Sequence, residues 1–210
     1  MKSIYKISAL VLCLMATTIS HAQCFQKKSM FLDLGIGIAI YNTEVYNYEN
    51  DSTKTGKAGS VIIPLTFEYG VGNRIGVGLQ LVRQNFIAGK DSTNNTKPDA
   101  HSGEINLLGN YHFYRSDHTD LYGGITLGIS GFKYNSNNAN KAILDAGGSF
   151  TDLHFGARFL FGNHTGMLLN LSFPTMNYIQ GLASDNQGNE VNFDLKFSGF
   201  TIGTGLTYKF

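Results

Sequence analysis

The last fifteen residues of the chain, Lys196 to Phe210, alternate two kinds of side chain. Phe200, Ile202, Thr204, Leu206, Tyr208 and Phe210 share one parity, and Gly199, Thr201, Gly203, Gly205, Thr207 and Lys209 the other. An extended chain sends successive side chains to opposite faces, so this stretch has one apolar face and one small or polar face. A soluble sandwich strand also alternates. A chain that ends inside the pattern on an aromatic, with no polar tail, instead predicts a strand sealed into a closed barrel.

The same period-two pattern recurs upstream over Met30 to Tyr41, Gly59 to Tyr69, Arg74 to Phe86, Gly103 to Tyr114, Thr119 to Tyr134, Ser149 to Phe161 and Thr165 to Tyr178, with no convincing amphipathic helix between. The connections alternate in length. Polar stretches at 42–58, 87–102, 135–148 and from Tyr178 to about Asp194 read as long loops, and 70–73, 115–118 and 162–164 read as short turns. The prediction is an all-β fold, a transmembrane antiparallel up-and-down β-barrel of about eight strands, with four long outer loops, three short periplasmic turns and both termini periplasmic. Parity separates it from a soluble barrel. The bulky apolar set excludes charge while the opposite set carries glycine with Glu68, Glu104 and Arg158, which cannot line a soluble core. Pro64 cannot donate a ladder hydrogen bond, so an irregularity is expected there. The apolar Ala142-Ile143-Leu144 is expected to fold over the barrel mouth.

At the N-terminus, Lys2 and Lys6 precede an apolar run from Ile7 to Ile19, and Ser20-His21-Ala22 offers a cleavage site before Gln23. The run is shorter than the roughly 20 residues of a membrane-spanning helix. Residues 1–22 are read as a signal peptide, 23–29 as a short N-terminal segment and 30–210 as the barrel domain. Cys13 leaves with the signal, so Cys24 has no partner for an internal disulfide, and Gln23 and His21 before it do not suit a lipid-modified cysteine. A net charge of +1 gives no reason to invoke nucleic acid.

The ending Gly205-x-x-Tyr208-x-Phe210 resembles the C-terminal assembly signal of bacterial outer-membrane barrels. With the alternation and the loop pattern, the chain from about Phe31 to Phe210 resembles the small bacterial outer-membrane β-barrel family, porin-like proteins of the OmpA transmembrane-domain, OmpX and OmpW types. The resemblance implies a place in the cell outer membrane, contact with its lipid and lipopolysaccharide, and insertion by the barrel assembly machinery through the C-terminal strand; a monomer is expected. No peptidoglycan-binding domain follows the barrel in this sequence, so wall anchoring by that route is not expected. Activity varies widely within such a family, so fold and location are implied far better than function.

Inward-facing ionisable groups near the periplasmic end are Asp33, Glu68, Arg158 and Lys209. They are expected to form a lumen charge network, with Asp33 and Glu68 near Lys209 and Arg158 reaching in from the far wall. It would serve as a plug, or as a gate or selectivity filter. Phe67, Tyr69, Tyr111, Phe113, Phe159, Phe161, Tyr208 and Phe210 should form an outward aromatic girdle at that end. Arg83, Lys133 and Lys196 keep outward parity at the upper strand ends, where they would meet lipopolysaccharide phosphates or extend into water.

Asp152 and His154 share an inward face that His112 would approach, but no serine stands beside them. No catalytic, metal or cofactor site is expected, and the protein is not expected to be an enzyme. Inward glycines, among them Gly35, Gly76, Gly124, Gly128 and Gly156, either leave room for water or a slim ligand or only relieve crowding. The reading is a structural or surface-interaction protein with polar extracellular loops, open to an extracellular ligand or surface partner. The alternatives are a narrow porin-like channel or small-ligand carrier and, least supported, a lipid-modifying enzyme.

Overall fold

The computed structural model describes residues 24–87, 98–136, 143–184 and 190–210. Eight strands, β1 (Met30–Asn47), β2 (Ser52–Gly70), β3 (Ile75–Ile87), β4 (Asp99–Arg115), β5 (Thr119–Asn135), β6 (Ile143–Leu160), β7 (Thr165–Ser184) and β8 (Glu190–Lys209), pair antiparallel in chain order, and β8 closes onto β1. From Met30 to Asn42 every second residue of β1 is exposed and every other one buried. Leu34, Ile36, Ile38, Leu79, Leu107, Ile125, Leu127, Phe155 and Leu206 are among the exposed side chains, so the apolar parity faces outward and forms a belt. Such a surface is stable in hydrocarbon, where a closed ring of strands also leaves no backbone group unpaired. The belt ends at Ile40, Leu81, Ile105, Ile129, Leu153, Phe173 and Phe200. Beyond it the outward positions become Asn42, Arg83, Gly103, Gly131, Thr151, Thr175 and Ser198.

On the outer side the strands run further than the apolar alternation predicts. β1 and β2 stay paired up to Asn47 opposite Ser52, so most of the stretch expected as a loop over 42–58 is a hairpin arm turning at 48–51. The other outer connections shorten in the same way: residues 99–102, 143–148, 179–184 and 190–194 belong to strands. Above the membrane the outward positions mix polar residues with isolated apolar ones such as Ile87, Ile143 and Leu182, so the continuous apolar parity is lost, yet backbone pairing needs no apolar face. Ile143 and Leu144, expected over the mouth, are part of β6, with Leu144 packed on aromatic side chains inside the barrel; Ala142 lies outside the described residues. The inner connections are short, as expected. At Pro64 the β1–β2 ladder is interrupted opposite Gly35 and Ile36 and resumes in the same register, an irregularity without an inserted residue. A bulge between His112 and Tyr114 turns both Phe113 and Tyr114 outward.

The lumen is filled at two levels. Towards the outer end Tyr41, Phe132, Phe150, Met176, Tyr178, Phe193 and Phe197 are buried together, with Phe86 against Phe197 at 5.0 Å between ring centroids. Towards the short-turn end the filling is ionic. A cavity of about 70 Å³ lies between, bordered by Gly37, Thr66, Gln80, Tyr122 and Thr201. Most inward glycines do not face it. A Cβ on Gly156 would fall on the Tyr122 ring, on Gly76 against the Glu68 carboxylate, and on Gly124 and Gly128 against the side chains of Asn110 and Asn106. These glycines relieve crowding, the second of the two expected roles, because each stands beside a large inward neighbour.

Gly156→Ala should therefore destabilise the barrel by about 1–3 kcal/mol through overpacking. Gly103→Ala, whose Cβ would meet nothing within 4 Å, should leave stability unchanged. Urea midpoints of the heat-modifiable folded band on gels check the pair.

Candidate functional site

Arg158, on β6 and fully buried, organises the ionic filling. Its Nη2 donates to Asp33 Oδ2 at 2.6 Å and to Glu68 Oε2 at 2.5 Å, its Nε to Asp33 Oδ2 at 3.2 Å, and its Nη1 to Asp120 Oδ2 at 3.3 Å. The acids come from β1, β2 and β5, so one guanidinium ties together strands on opposite walls. Its carbon lies 4.4 Å from the Phe31 ring centroid and 4.6 Å from that of Tyr122, an aromatic sandwich favourable to a cation. His112 completes the cluster, with Nε2 2.9 Å from Glu68 Oε1 and Nδ1 2.8 Å from Asp120 Oδ1. Carboxylate oxygens only accept, so the ring donates from both nitrogens. Thr207 donates its hydroxyl to Asp33 Oδ1. Burying an ion costs several kcal/mol unless its hydrogen-bonding positions are matched, and this cluster matches them.

Residues 24–29 lie across the mouth below. The Phe25 ring stacks on His112 with centroids 3.4 Å apart. The Cys24 amide donates to the Ser116 carbonyl, the Lys28 amide to that of Gly70 and the Gly70 amide to that of Ser29. Arg115 donates to the carbonyls of Phe25 and Asn73. Gly70 is needed here, since a Cβ would collide with the Gln26 carbonyl. Cys24 is fully buried under this cap, and burial, with the Asp120 charge next, pushes its thiol up to about 12.

Of the four residues expected in the network, the structure brings together Asp33, Glu68 and Arg158. Lys209 was expected near Asp33 and Glu68. It pairs with Phe31, two residue pairs nearer the end of β8 than the Asp33–Thr207 pair, and its backbone is bonded to His164. The guanidinium reaches the acids from across the lumen, the approach from the far wall expected of Arg158.

Asp120 and His112 were not expected in the network. Asp120 shares the inward parity of Tyr122 and Gly124, a signal present in the sequence but masked by its place just after a turn. His112 points down the barrel to Glu68 and Asp120 and does not join Asp152 and His154. Nothing in the aperiodic segment 23–29 signals the Phe25 cap.

Asp152 Oδ2 is 3.6 Å from His154 Nδ1, and the Thr126 hydroxyl meets the same nitrogen at 3.3 Å, while Nε2 faces Asn110 Oδ1 at 2.7 Å. A nucleophile–imidazole–acid relay needs the hydroxyl and the acid on opposite ring nitrogens, which this arrangement lacks.

At the short-turn end Phe67, Tyr69, Tyr111, Phe113, Phe159 and Phe161 are exposed on the outer surface, joined by Tyr114 through the bulge. Tyr208 and Phe210 are half-buried, Tyr208 stacked on His164 and edge-on to Phe210. Gly205 pairs with Gly35 across the closing seam. Arg83, Lys133 and Lys196 are exposed beyond the belt, and Lys133 Nζ lies 3.2 Å from Asp145 Oδ2.

No family model matches the chain, and no curated protein matches its sequence. Among solved structures it is similar to the outer membrane protein OprG from Pseudomonas aeruginosa, with a TM-score of 0.60 and 17% identity over 89% of this chain and 97% of that one. It is also similar to the outer membrane protein AlkL determined in lipid bilayers, with a TM-score of 0.54 and 13% identity over 92% of this chain and 95% of that one. At such identity the common property is the fold. The chain is an eight-stranded barrel of the outer-membrane type, with its apolar belt in the bilayer.

Arg158→Ala leaves three buried carboxylates with one imidazole and should cost about 3–5 kcal/mol. Arg158→Lys should recover only part of this, since an ammonium lacks the planar fork; tyrosine-fluorescence unfolding in urea measures both. Cys24 should resist maleimide at pH 8 in the folded barrel and react in urea, and Phe25→Ala should speed its labelling in the folded state.

Proposed function

We propose that the protein is a non-conducting, non-enzymatic barrel whose role lies in the outer membrane's structure and in the surface that its outer hairpins present. The observation that supports this most directly is the filling of the lumen at two levels, by the Arg158 cluster under Phe25 and by the buried aromatics around Phe197. A solute would have to displace both, and breaking the ionic level strands three acids. An interior of eight strands is just wide enough for side chains to fill it. The relay-incompatible geometry at His154 favours the same reading over a hydrolytic one.

Outside the barrel, Arg83 and Lys196 stand just above the apolar belt, at the height of the outer headgroups, and suit lipopolysaccharide phosphates. The Tyr48 hydroxyl donates to Asp194 Oδ2 at 2.8 Å and the Gln180 amide to Asp194 Oδ1 at 2.9 Å, bracing the β1–β2 arm against β7 and β8 as a rigid surface for an extracellular partner. The ending Gly205, Tyr208, Phe210 is the segment offered to the assembly machinery.

Single-channel recording of the refolded protein in planar bilayers tests the reading. Wild type and Glu68→Ala should both be silent, because the aromatic level stays in place when the ionic one is weakened. Discrete steps in wild type that change with Glu68→Ala would make the protein a pore governed by its lumen charges.

A further inference from the structure

We infer that Glu104 and Asn106 hold a monovalent metal cation in the upper lumen. This site is separate from the Arg158 cluster and independent of whether the barrel conducts. Glu104, on the inward face of β4, is 2% exposed. Its Oε1 accepts from the hydroxyls of Ser102 at 2.5 Å and Ser130 at 3.3 Å. Oε2 is buried and has no hydrogen-bond partner among the described residues; neither has Asn106 Oδ1, two positions along the same face in a residue 1% exposed. Two buried acceptors on neighbouring inward positions of one strand, one of them a carboxylate oxygen, ask for a positive group.

Among the described residues, the cationic groups of the lumen are engaged elsewhere. Arg158 and His112 serve Asp33, Glu68 and Asp120, and His154 adjoins the remaining lumen acid, Asp152. Arg83 follows Val82, the cross-strand partner of Glu104, but has the opposite parity and is exposed on the outer surface. No ion pair to Glu104 is present among the described residues. A buried ionised carboxylate without compensation costs several kcal/mol. Two hydroxyls donate to Oε1 and none to Oε2, so Oε2 is where a cation, or a proton as its rival, would relieve the buried carboxylate.

The chemistry of the site narrows the cation. The unpartnered atoms are a carboxylate and an amide oxygen, and the hydroxyls of Ser102 and Ser130 stand on the other oxygen of the same carboxylate. Oxygen ligands suit hard ions, and a single carboxylate suits one positive charge better than the two of calcium or magnesium, whose all-protein sites gather several carboxylates. Sodium and potassium are the ions of that class.

The test uses the barrel refolded in detergent micelles with ¹³C-labelled glutamate, in sodium or potassium chloride against N-methylglucamine chloride of equal ionic strength at pH 7. Glu104→Gln identifies the Glu104 carboxyl resonance by its loss, and Glu104→Asp serves the same purpose if the first variant does not fold. In sodium or potassium the resonance should lie at the ionised position and move saturably with cation. In N-methylglucamine it should move to the neutral-acid position. Asn106→Leu should raise the cation midpoint at least threefold. A resonance at the neutral-acid position in every salt would assign the site to a proton, and an ionised resonance unmoved by exchange of cation would show that nothing binds. Either result overturns the proposal, and an unchanged midpoint in Asn106→Leu overturns the two-residue site.

Discussion

Hydrocarbon offers no partner for a backbone N–H or C=O, and the rest of this structure depends on that constraint. Eight strands that close in chain order, β8 back onto β1, satisfy their ladders without leaving an edge in the bilayer. Closure then gives every strand two different surroundings, lipid outside and a narrow lumen inside, and period-two alternation is the pattern that meets both at once. The apolar belt, the aromatic girdle below it and the polar positions above it follow the depth of the membrane along the outer parity.

The inner parity answers to volume and charge. An eight-stranded ring has little room inside, so large inward groups need small neighbours, as Tyr122 needs Gly156 and Glu68 needs Gly76. Ions placed in that space must be matched by other ions. Arg158 does this for Asp33, Glu68 and Asp120 in a single contact set, helped by His112 and covered by Phe25. The ionic and aromatic fillings divide the lumen between them and leave a small cavity in between. Above the membrane, paired strands persist without a continuous apolar face and form a braced arm at β1–β2.

How much of this was legible varied with the kind of force involved. Inward placement of Asp33, Glu68 and Arg158 could be read from parity, because a strand admits only two directions. Their mutual contact also needed the register of strands far apart in the chain. Asp120 carried the right parity yet was obscured beside a turn, where the pattern has too few residues to be trusted. His112 was correctly inward and assigned to the wrong neighbours, since parity gives the face of a strand and not the direction in which a long side chain leans.

The sequence by itself determined the architecture, the face of most strand residues and the membrane as surroundings, since alternation, connection length and a charge-free apolar parity are local properties with one physical solution. Tertiary structure alone decided which inward groups meet, that Phe25 closes the mouth, and that most inward glycines make room for a neighbour rather than for a ligand. Those outcomes depend on cross-strand register, bulges and the width of the closed ring, which arise only when all eight strands are paired.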